Sequence, residues 1–180
     1  NIEVDGRAVQ VPQGSTVMDA ASRLGIYVPH FCYHKKLSIA ANCRMCLVQV
    51  EKAPKPLPAC ATPATDGMKV QTHSARAVTA QKGVMEFLLI NHPLDCPVCD
   101  KGGECPLQDL TFRYGPGSTR MSFAKQTFEK PIPVSPLIAL DRERCILCYR
   151  CTRFSEDVAE DGLLVARNRG ASTEIATFED

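Results

Sequence analysis

The sequence predicts an α+β protein in which short strands, a few helices and long loops hold three groups of cysteines. Residues 1 to about 72 contain several short runs of alternating apolar and polar residues, typical of strands, and one helical pattern. All 10 cysteines of the chain fall into three groups along its length. A chain of 180 residues supports one or two domains with modest cores, so we expect small units rather than a large catalytic body.

Composition and charge argue against several functional classes. The net charge of +1 is scattered along the chain, so no basic surface indicates nucleic acid as a partner. The longest strongly apolar run, residues 84–90, is too short to cross a bilayer, and the first residues lack an export signal. Ten cysteines without such a signal predict a reducing, cytoplasmic compartment, where thiolates bind metal rather than form disulfides.

A hairpin and a helix are predicted at the start of the chain. Apolar and polar residues alternate through residues 2–11 around a central Asp-Gly pair, which is a strong signal for a tight turn. Thr16 then precedes a helical pattern of apolar residues, with Asp19 three positions on as its capping-box partner. Gly25 is the expected end of this helix.

Three more strands complete the first predicted unit. They correspond to segments 47–51, 57–60 and 67–72, and a Pro-rich break separates the first two. The long stretch between the helix and residue 47 has no regular pattern, so we expect a loop there. Together these elements predict one compact α+β unit at residues 1–72.

The first cysteine group lies on and after that loop. Its members are separated by ten, two and thirteen residues, so only the close pair matches the plant-type ferredoxin pattern. Four thiolates suit either a 2Fe-2S cluster or a structural zinc ion, and the presence of the other groups favours the cluster. A hairpin, a helix and further strands around such a loop resemble the β-grasp ferredoxins. The candidate ligands are Cys32, Cys43, Cys46 and Cys60.

A second helix, capped by Ser74, is predicted to lead to the second group, since apolar residues recur on one face until Pro93 disfavours continuation. A lone histidine at a helix end would ordinarily be structural, but three cysteines follow His92 closely. Gly102 and Gly103 let a short loop wrap a single site. Three thiolates and an imidazole fit zinc as well as iron, so spacing alone leaves the metal open. The candidate ligands are His92, Cys96, Cys99 and Cys105.

The third group has the two-residue spacing of bacterial 4Fe-4S ferredoxins and consists of Cys145, Cys148 and Cys151. A helix is expected to continue through Phe154, Val158 and Leu163. The usual fourth cysteine is absent from this pattern, because its position is taken by Ser155, a poor substitute, and no cysteine follows Cys151. We therefore expect this 4Fe-4S site to be incomplete in the chain.

These groups divide the chain into four predicted segments. Residues 113–136 are rich in Gly, Pro, Ser and Lys and show little periodicity, which is typical of a connecting segment. The predicted order is a 2Fe-2S ferredoxin-like domain at 1–72, a metal-binding segment with one histidine and three cysteines at 73–112, a connecting segment at 113–139, and the start of a bacterial-type 4Fe-4S ferredoxin-like domain at 140–180.

Residues 91–108 resemble the signature of the large iron-sulfur subunit, known as the G subunit, of respiratory complex I, the NADH:quinone oxidoreductase; they read NHPLDCPVCDKGGECPLQ. Residues 60–63, 66–68 and 140–145 extend the resemblance over essentially the whole chain. The resemblance implies that the second group binds a 4Fe-4S cluster and that the first group binds a 2Fe-2S cluster.

The same resemblance implies a role in electron transfer. Electrons would enter from a flavin subunit that oxidises NADH and leave toward quinone, within a peripheral arm on the inner face of the bacterial plasma membrane or on the matrix side. The residues show no nucleotide-binding Gly loop, serine elbow or zincin helix, so we expect no complete active site on this chain. The resemblance also places the fourth ligand of the third group beyond residue 180, and Glu179-Asp180 shows no sign of a natural terminus, so we expect a fragment.

Two alternatives stay open on the sequence. Electron-transfer subunits of soluble NAD-reducing hydrogenases and formate dehydrogenases resemble complex I in this region, although Leu94-Asp95 and residues 53–56 look more like complex I. A zinc-stapled interaction module without a redox role would use the same cysteines. A brown protein that bleaches with dithionite would exclude zinc.

Overall fold

The computed structural model describes residues 1–177, in which helices and short strands alternate with long irregular segments. The helices are α1 (Val17–Arg23), α2 (Ala75–Leu89), α3 (Pro106–Tyr114) and α4 (Arg150–Phe154). The strands are β1 (Ile2–Val4), β2 (Arg7–Val9), β3 (Leu47–Val50), β4 (Leu57–Pro58), β5 (Lys69–Gln71), β6 (Ile132–Pro133), β7 (Ala139–Leu140), β8 (Val165–Arg167) and β9 (Glu174–Ala176). In this part of the chain, no helix combines the length and apolarity that a bilayer span requires.

The first five strands form one mixed sheet in the order β2-β1-β5-β3-β4. Strand β1 pairs antiparallel with β2 and parallel with β5, and β5 pairs antiparallel with β3. Val4 and Val50 both lie opposite Val70, so the inward residues of neighbouring strands are in register. Helix α1 packs on this sheet and contributes Val17 and Ala20 to a buried core. The predicted α+β unit with a sheet and a covering helix is confirmed.

Local signals account for the start of this unit. Asp5 and Gly6 have φ angles of 49° and 77°, the left-handed conformations that a tight hairpin turn requires. The hydroxyl of Thr16 accepts a hydrogen bond from the backbone N–H of Asp19 at 3.2 Å, and the Asp19 carboxylate accepts from the N–H of Thr16 at 2.8 Å. This reciprocal pair is the predicted capping box, and it fixes the direction in which α1 leaves the sheet.

Helix α2 begins as predicted and carries one residue that the apolar pattern could not place. The Ser74 hydroxyl accepts from the N–H of Ala77 at 3.2 Å, and the helix ends at Leu89, three residues before His92. Gln81 is fully buried, and its side-chain amide donates to the carbonyl of Leu47 at 3.0 Å. The helix is therefore tied to strand β3 by a buried hydrogen bond as well as by apolar contacts.

Helix α3 was not predicted. Its signals are Pro106 at the first turn and Leu107 and Leu110, which are buried three positions apart. Phe112, on the opposite side, is 86% exposed, so the apolar pattern of this short segment is not confined to one face. The helix also runs to Tyr114 and so includes the first two residues of the predicted connecting segment.

The rest of the described chain is held by short elements and side-chain contacts. Lys125 donates to the carbonyls of Leu89 and Ile90, both at 2.9 Å, which ties the irregular segment to the end of α2. The predicted helix after the third cysteine group is present through Phe154 and Val158, but it ends before Leu163. Helix α4 passes into a π-helical turn that ends at Ala159, and the antiparallel strands β8 and β9, which were not predicted, follow. Glu179 and Asp180, on which the expectation of a fragment was partly based, lie outside the described residues.

We expect Thr16→Ala to lower the free energy of unfolding by about 1 kcal/mol, because the first turn of α1 loses its cap. Urea unfolding followed by circular dichroism measures the change. Ser22→Ala, at an exposed position of the same helix, is the control and should leave the midpoint nearly unchanged. Equal losses in both variants would contradict a capping role for Thr16.

Candidate metal centres

The first cysteine group converges on one point between the sheet and the long loop. Cys32, Cys46 and Cys60 are buried and Cys43 is partly buried. Neighbouring thiols of this group influence one another's pKa: Cys43 and Cys60 act on Cys32, and Cys60 acts on Cys46. Hydrogen bonds from Cys43 and Cys60 lower the pKa of the Cys32 thiol, and the bond from Cys60 lowers that of Cys46. The loop and the sheet thus bring all four predicted ligands together.

Backbone contacts hold these ligands in place. The N–H of Cys32 donates to the sulfur of Cys43 at 3.4 Å. The carbonyl of Cys46 accepts from the N–H of Ala59 at 2.9 Å, which joins the strand end before Cys60 to the loop. The carbonyl of Ala59 in turn accepts from the N–H of Met18 on α1 at 3.0 Å. Backbone hydrogen bonds therefore connect the cysteine loop to the segment that carries Cys60 and to helix α1.

The second group lines a single cavity of about 280 Å³ between the end of α2 and the start of α3. A buried nitrogen of the His92 ring, Nδ1, has no hydrogen-bond partner among the described residues. Desolvation lowers the pKa of His92, which favours the neutral form of the ring that can donate a lone pair to a metal. The predicted ligands that line this cavity are His92, Cys96, Cys99 and Cys105.

The loop around this cavity depends on a close approach at one glycine. A Cβ atom added to Gly102 would lie 2.8 Å from the carbonyl oxygen of Cys96 and 3.1 Å from that of Cys99. The next residue, Gly103, has a φ of 86° and donates its N–H to the side chain of Gln108 at 3.1 Å. The glycine pair therefore allows the tight wrapping that the sequence predicted.

The third group lies in the turn that leads into α4 and in the first turn of that helix, which contains Cys151. The N–H of Leu147 donates to the sulfur of Cys145 at 3.4 Å, and burial raises the pKa of the Cys145 and Cys151 thiols, with a further contribution from the nearby Cys148. Ser155 is buried, but its hydroxyl donates to the carboxylate of Asp161. The structure thus brings the three predicted cysteines together, and the Ser155 hydroxyl has a protein partner.

All three groups border one apolar cluster. Ligands from each group, namely Cys43, Cys105 and Cys148, pack against it. The buried members of this cluster are Phe31, Met45, Met85, Leu107 and Leu110. The sites are therefore neighbours around a shared core rather than separate modules along the chain.

The donor sets fit iron-sulfur clusters. Cysteine thiolates and a neutral imidazole are the protein ligands that such clusters use. Among residues 1–177, no three His, Cys, Asp or Glu side chains lie close enough together to hold a single metal ion. A cluster places several iron and sulfide atoms between its protein ligands, so the wider spacing around each site is compatible with it.

The fold and the sites define a class of protein, an iron-sulfur protein assembled from ferredoxin-like units. Three family models match it in succession: a 2Fe-2S iron-sulfur cluster binding domain at residues 1–75, the NADH-ubiquinone oxidoreductase-G iron-sulfur binding region at 81–120, and the ferredoxin-like domain of NADH-quinone oxidoreductase subunit 3 at 135–180. The chain belongs to the family of NADH-quinone oxidoreductase G subunits.

Individual relatives agree with these matches. The chain is 51% identical over 99% of its length to the G subunit of NADH-quinone oxidoreductase of Streptomyces coelicolor, and 50% identical over 99% to the NADH-ubiquinone oxidoreductase 75 kDa subunit of Reclinomonas americana. It spans only 21% and 26% of those proteins. A chain of an NAD+-reducing [NiFe]-hydrogenase in the H2-reduced state has a TM-score of 0.86 at 31% identity, with 98% of this chain and 74% of that one covered.

These comparisons confirm the family resemblance, the fold class and the cluster types, 2Fe-2S and 4Fe-4S. The assignment of individual ligands stays a prediction that the local geometry supports. Sequence reasoning missed two polar residues near the sites, Arg153 and Asn42. Each donates to carbonyls in a distant loop, and no short-range pattern indicates such contacts.

We expect Gly102→Ala to reduce cluster binding at the second site, because the added methyl group would collide with the carbonyls of Cys96 and Cys99. Iron analysis should show a loss of up to about four irons per chain. Gly117→Ala is the matched control, since a Cβ there meets no atom within 4 Å. Unchanged iron content in the Gly102 variant would show that the loop can move aside.

Proposed function

We propose that this chain relays electrons through three iron-sulfur centres held by its own side chains. The first, of 2Fe-2S type, has the ligands Cys32, Cys43, Cys46 and Cys60. The second, of 4Fe-4S type, has the ligands His92, Cys96, Cys99 and Cys105. For the third, also of 4Fe-4S type, this chain supplies Cys145, Cys148 and Cys151.

The observation that carries the proposal is the shared apolar cluster. Cys43, Cys105 and Cys148 come from three different groups, yet all pack against the same buried side chains. Electron transfer between metal centres weakens steeply with their separation, so centres that border one core are suited to exchange electrons. An apolar surrounding with few polar partners also influences the reduction potential of each centre.

The side chains have distinct tasks in this proposal. The clusters, when bound, supply one-electron redox chemistry. The cysteines hold iron as thiolates, and the N–H groups of Cys32 and Leu147 donate to ligand sulfurs, which reduces the negative charge on those atoms. His92 contributes a neutral ligand, so the second centre carries one negative charge less than an all-cysteine centre would.

For the whole protein we propose a role in proton-translocating NADH:quinone oxidoreductase. Electrons would come from a subunit in which a flavin oxidises NADH, and they would leave through further clusters toward quinone. NADH and quinone would contact other subunits, so this chain needs no complete active site. The names of the curated relatives support the role in NADH:quinone oxidoreductase. A position in a peripheral subunit on the inner face of the membrane is part of the same proposal.

A second candidate is the equivalent subunit of an NAD-reducing hydrogenase. It is favoured by the structural likeness to the chain of that enzyme, at a TM-score of 0.86. The activity of the assembled complex distinguishes the two roles. The first would couple NADH oxidation to quinone reduction, and the second would couple hydrogen oxidation to NAD reduction. The higher identity to the Streptomyces coelicolor relative, 51% against 31%, favours the first.

Cys46→Ala should abolish the 2Fe-2S resonance of the reduced protein while the 4Fe-4S signals persist, because a ligand of the first site alone is lost. Cys99→Ala is its reciprocal control and should remove a 4Fe-4S signal while the 2Fe-2S resonance persists. Electron paramagnetic resonance of the dithionite-reduced protein measures both. An unaltered 2Fe-2S resonance in the Cys46 variant would refute the first ligand set and with it the proposed relay.

We expect His92→Cys to retain a 4Fe-4S centre with a more negative reduction potential, because a thiolate adds negative charge that disfavours reduction. His92→Ala should lose or weaken the centre, since the imidazole ligand is missing. Redox titration and iron content measure the two effects. Full occupancy with an unchanged signal in the alanine variant would mean that His92 only ends its segment.

A further inference from the structure

A buried arginine connects the first and third sites. Arg153 lies on α4, two residues after Cys151, and only 7% of its surface is exposed. Its guanidinium donates to the carbonyls of Cys32 and Ser38 in the first-site loop. It also donates to the carbonyls of Cys148 at 3.2 Å and Tyr149 at 3.0 Å in the third-site turn. One side chain therefore contacts the backbone of a proposed ligand in each of two sites.

Among the described residues, the charge of this side chain is not paired with a carboxylate in a salt bridge. Within residues 1–177 every hydrogen bond of Arg153 goes to a backbone carbonyl, and it forms no salt bridge. Hydrogen bonds with Ser38 and, to a smaller extent, the charge of Arg153 lower the pKa of the nearby Asp157 carboxyl, but this carboxylate is exposed and accepts from the N–H of Ser38 at 2.7 Å. An arginine stays protonated in proteins, and a buried, unpaired cation is costly. The structure thus holds a positive charge that calls for negative charge nearby.

The two proposed sites can supply that negative charge. Cluster iron is held by cysteine thiolates, and the cluster with its thiolates carries a net negative charge that increases on reduction. A fixed cation beside such a group stabilises the reduced form more than the oxidised form, and burial keeps the interaction from being screened by solvent. The position of Arg153 between Cys32 and Cys148 allows it to act on both sites.

We propose that Arg153 is a shared positioning residue of the first and third sites, which fixes the backbone of Cys32 and Cys148 and raises the reduction potential of both centres. This inference rests on the ligand sets of the proposed function. It goes beyond them because it assigns a residue that binds no iron and that links two centres electrostatically.

The need to hold the two loops together does not by itself explain why the residue at this position is positively charged. Asn42 also joins the two loops, through a hydrogen bond of 2.7 Å from its side-chain amide to the carbonyl of Leu147. This uncharged link shows that the interface can be held by a neutral side chain. Asn42 is therefore a natural control, since its removal disturbs the same pair of loops without altering the charge.

The test uses the full-length, cluster-loaded protein and compares Arg153→Gln, Arg153→Lys and Asn42→Ala with the wild type. Redox titration followed by electron paramagnetic resonance gives the potential of each centre. In Arg153→Gln both potentials should become more negative by at least about 59 mV, a tenfold change in each one-electron equilibrium. Arg153→Lys should restore most of the shift, and Asn42→Ala should leave both potentials near the wild-type values. The His92 centre is an internal reference.

Each outcome decides the proposal. Unchanged potentials in Arg153→Gln, or equal shifts in Arg153→Gln and Asn42→Ala, would overturn it. If Arg153→Gln does not retain its first and third clusters, retention in Arg153→Lys supports a requirement for the charge, whereas loss in both variants overturns it. Absence of the 2Fe-2S or 4Fe-4S signals in the wild type is a different failure, because it refutes the proposed ligand sets themselves.

Discussion

The packing of three cysteine-bearing loops against one apolar cluster is the constraint on which the rest of the structure depends. Met45 precedes Cys46, and Leu107 follows Cys105 by two residues, so residues beside the ligands also form the core. Met85 from α2 is fully buried between them. Any shift of this cluster moves ligands of more than one site. The helices and the sheet act chiefly as supports that bring these loops to the same place.

The loops achieve this arrangement through backbone conformations that ordinary residues rarely adopt. Ala41 and Arg44 in the first-site loop have φ angles of 52° and 58°, and Leu147 and Tyr149 in the third-site turn have angles of 51° and 55°. Left-handed conformations of non-glycine residues are uncommon and tend to occur at functional sites. Here they turn N–H groups and sulfurs inward, as the bond from Leu147 to Cys145 illustrates. Partly buried hydrogen bonds from the side chains of Asn42 and Arg153 hold the loops in these conformations.

The parts of the fold that follow from short-range signals were predictable from the sequence. The hairpin, the capping box of α1 and the start of α2 each depend on residues within a few positions, and the structure confirms them. Helix α3 was missed because Phe112 is exposed and obscures the periodicity. The spacing of the cysteines revealed the three candidate ligand groups. It did not reveal that all three groups pack against one apolar cluster. Arg153 contacts the carbonyl of Cys32 across 121 residues, and only the folded chain shows such a contact.

The three sites differ in their access to solvent, and this difference separates their electrostatic surroundings. Three of the four cysteines at the first site are buried, whereas Cys96 at the second site and Cys151 at the third are exposed. Water stabilises the extra negative charge of a reduced cluster, so a buried all-cysteine site has greater need of fixed positive partners. The buried Arg153 lies beside that first site, while the ligand set proposed for the second site includes an imidazole. Burial, ligand charge and a neighbouring cation thus act on the same quantity, the cost of adding an electron, in different combinations at each centre.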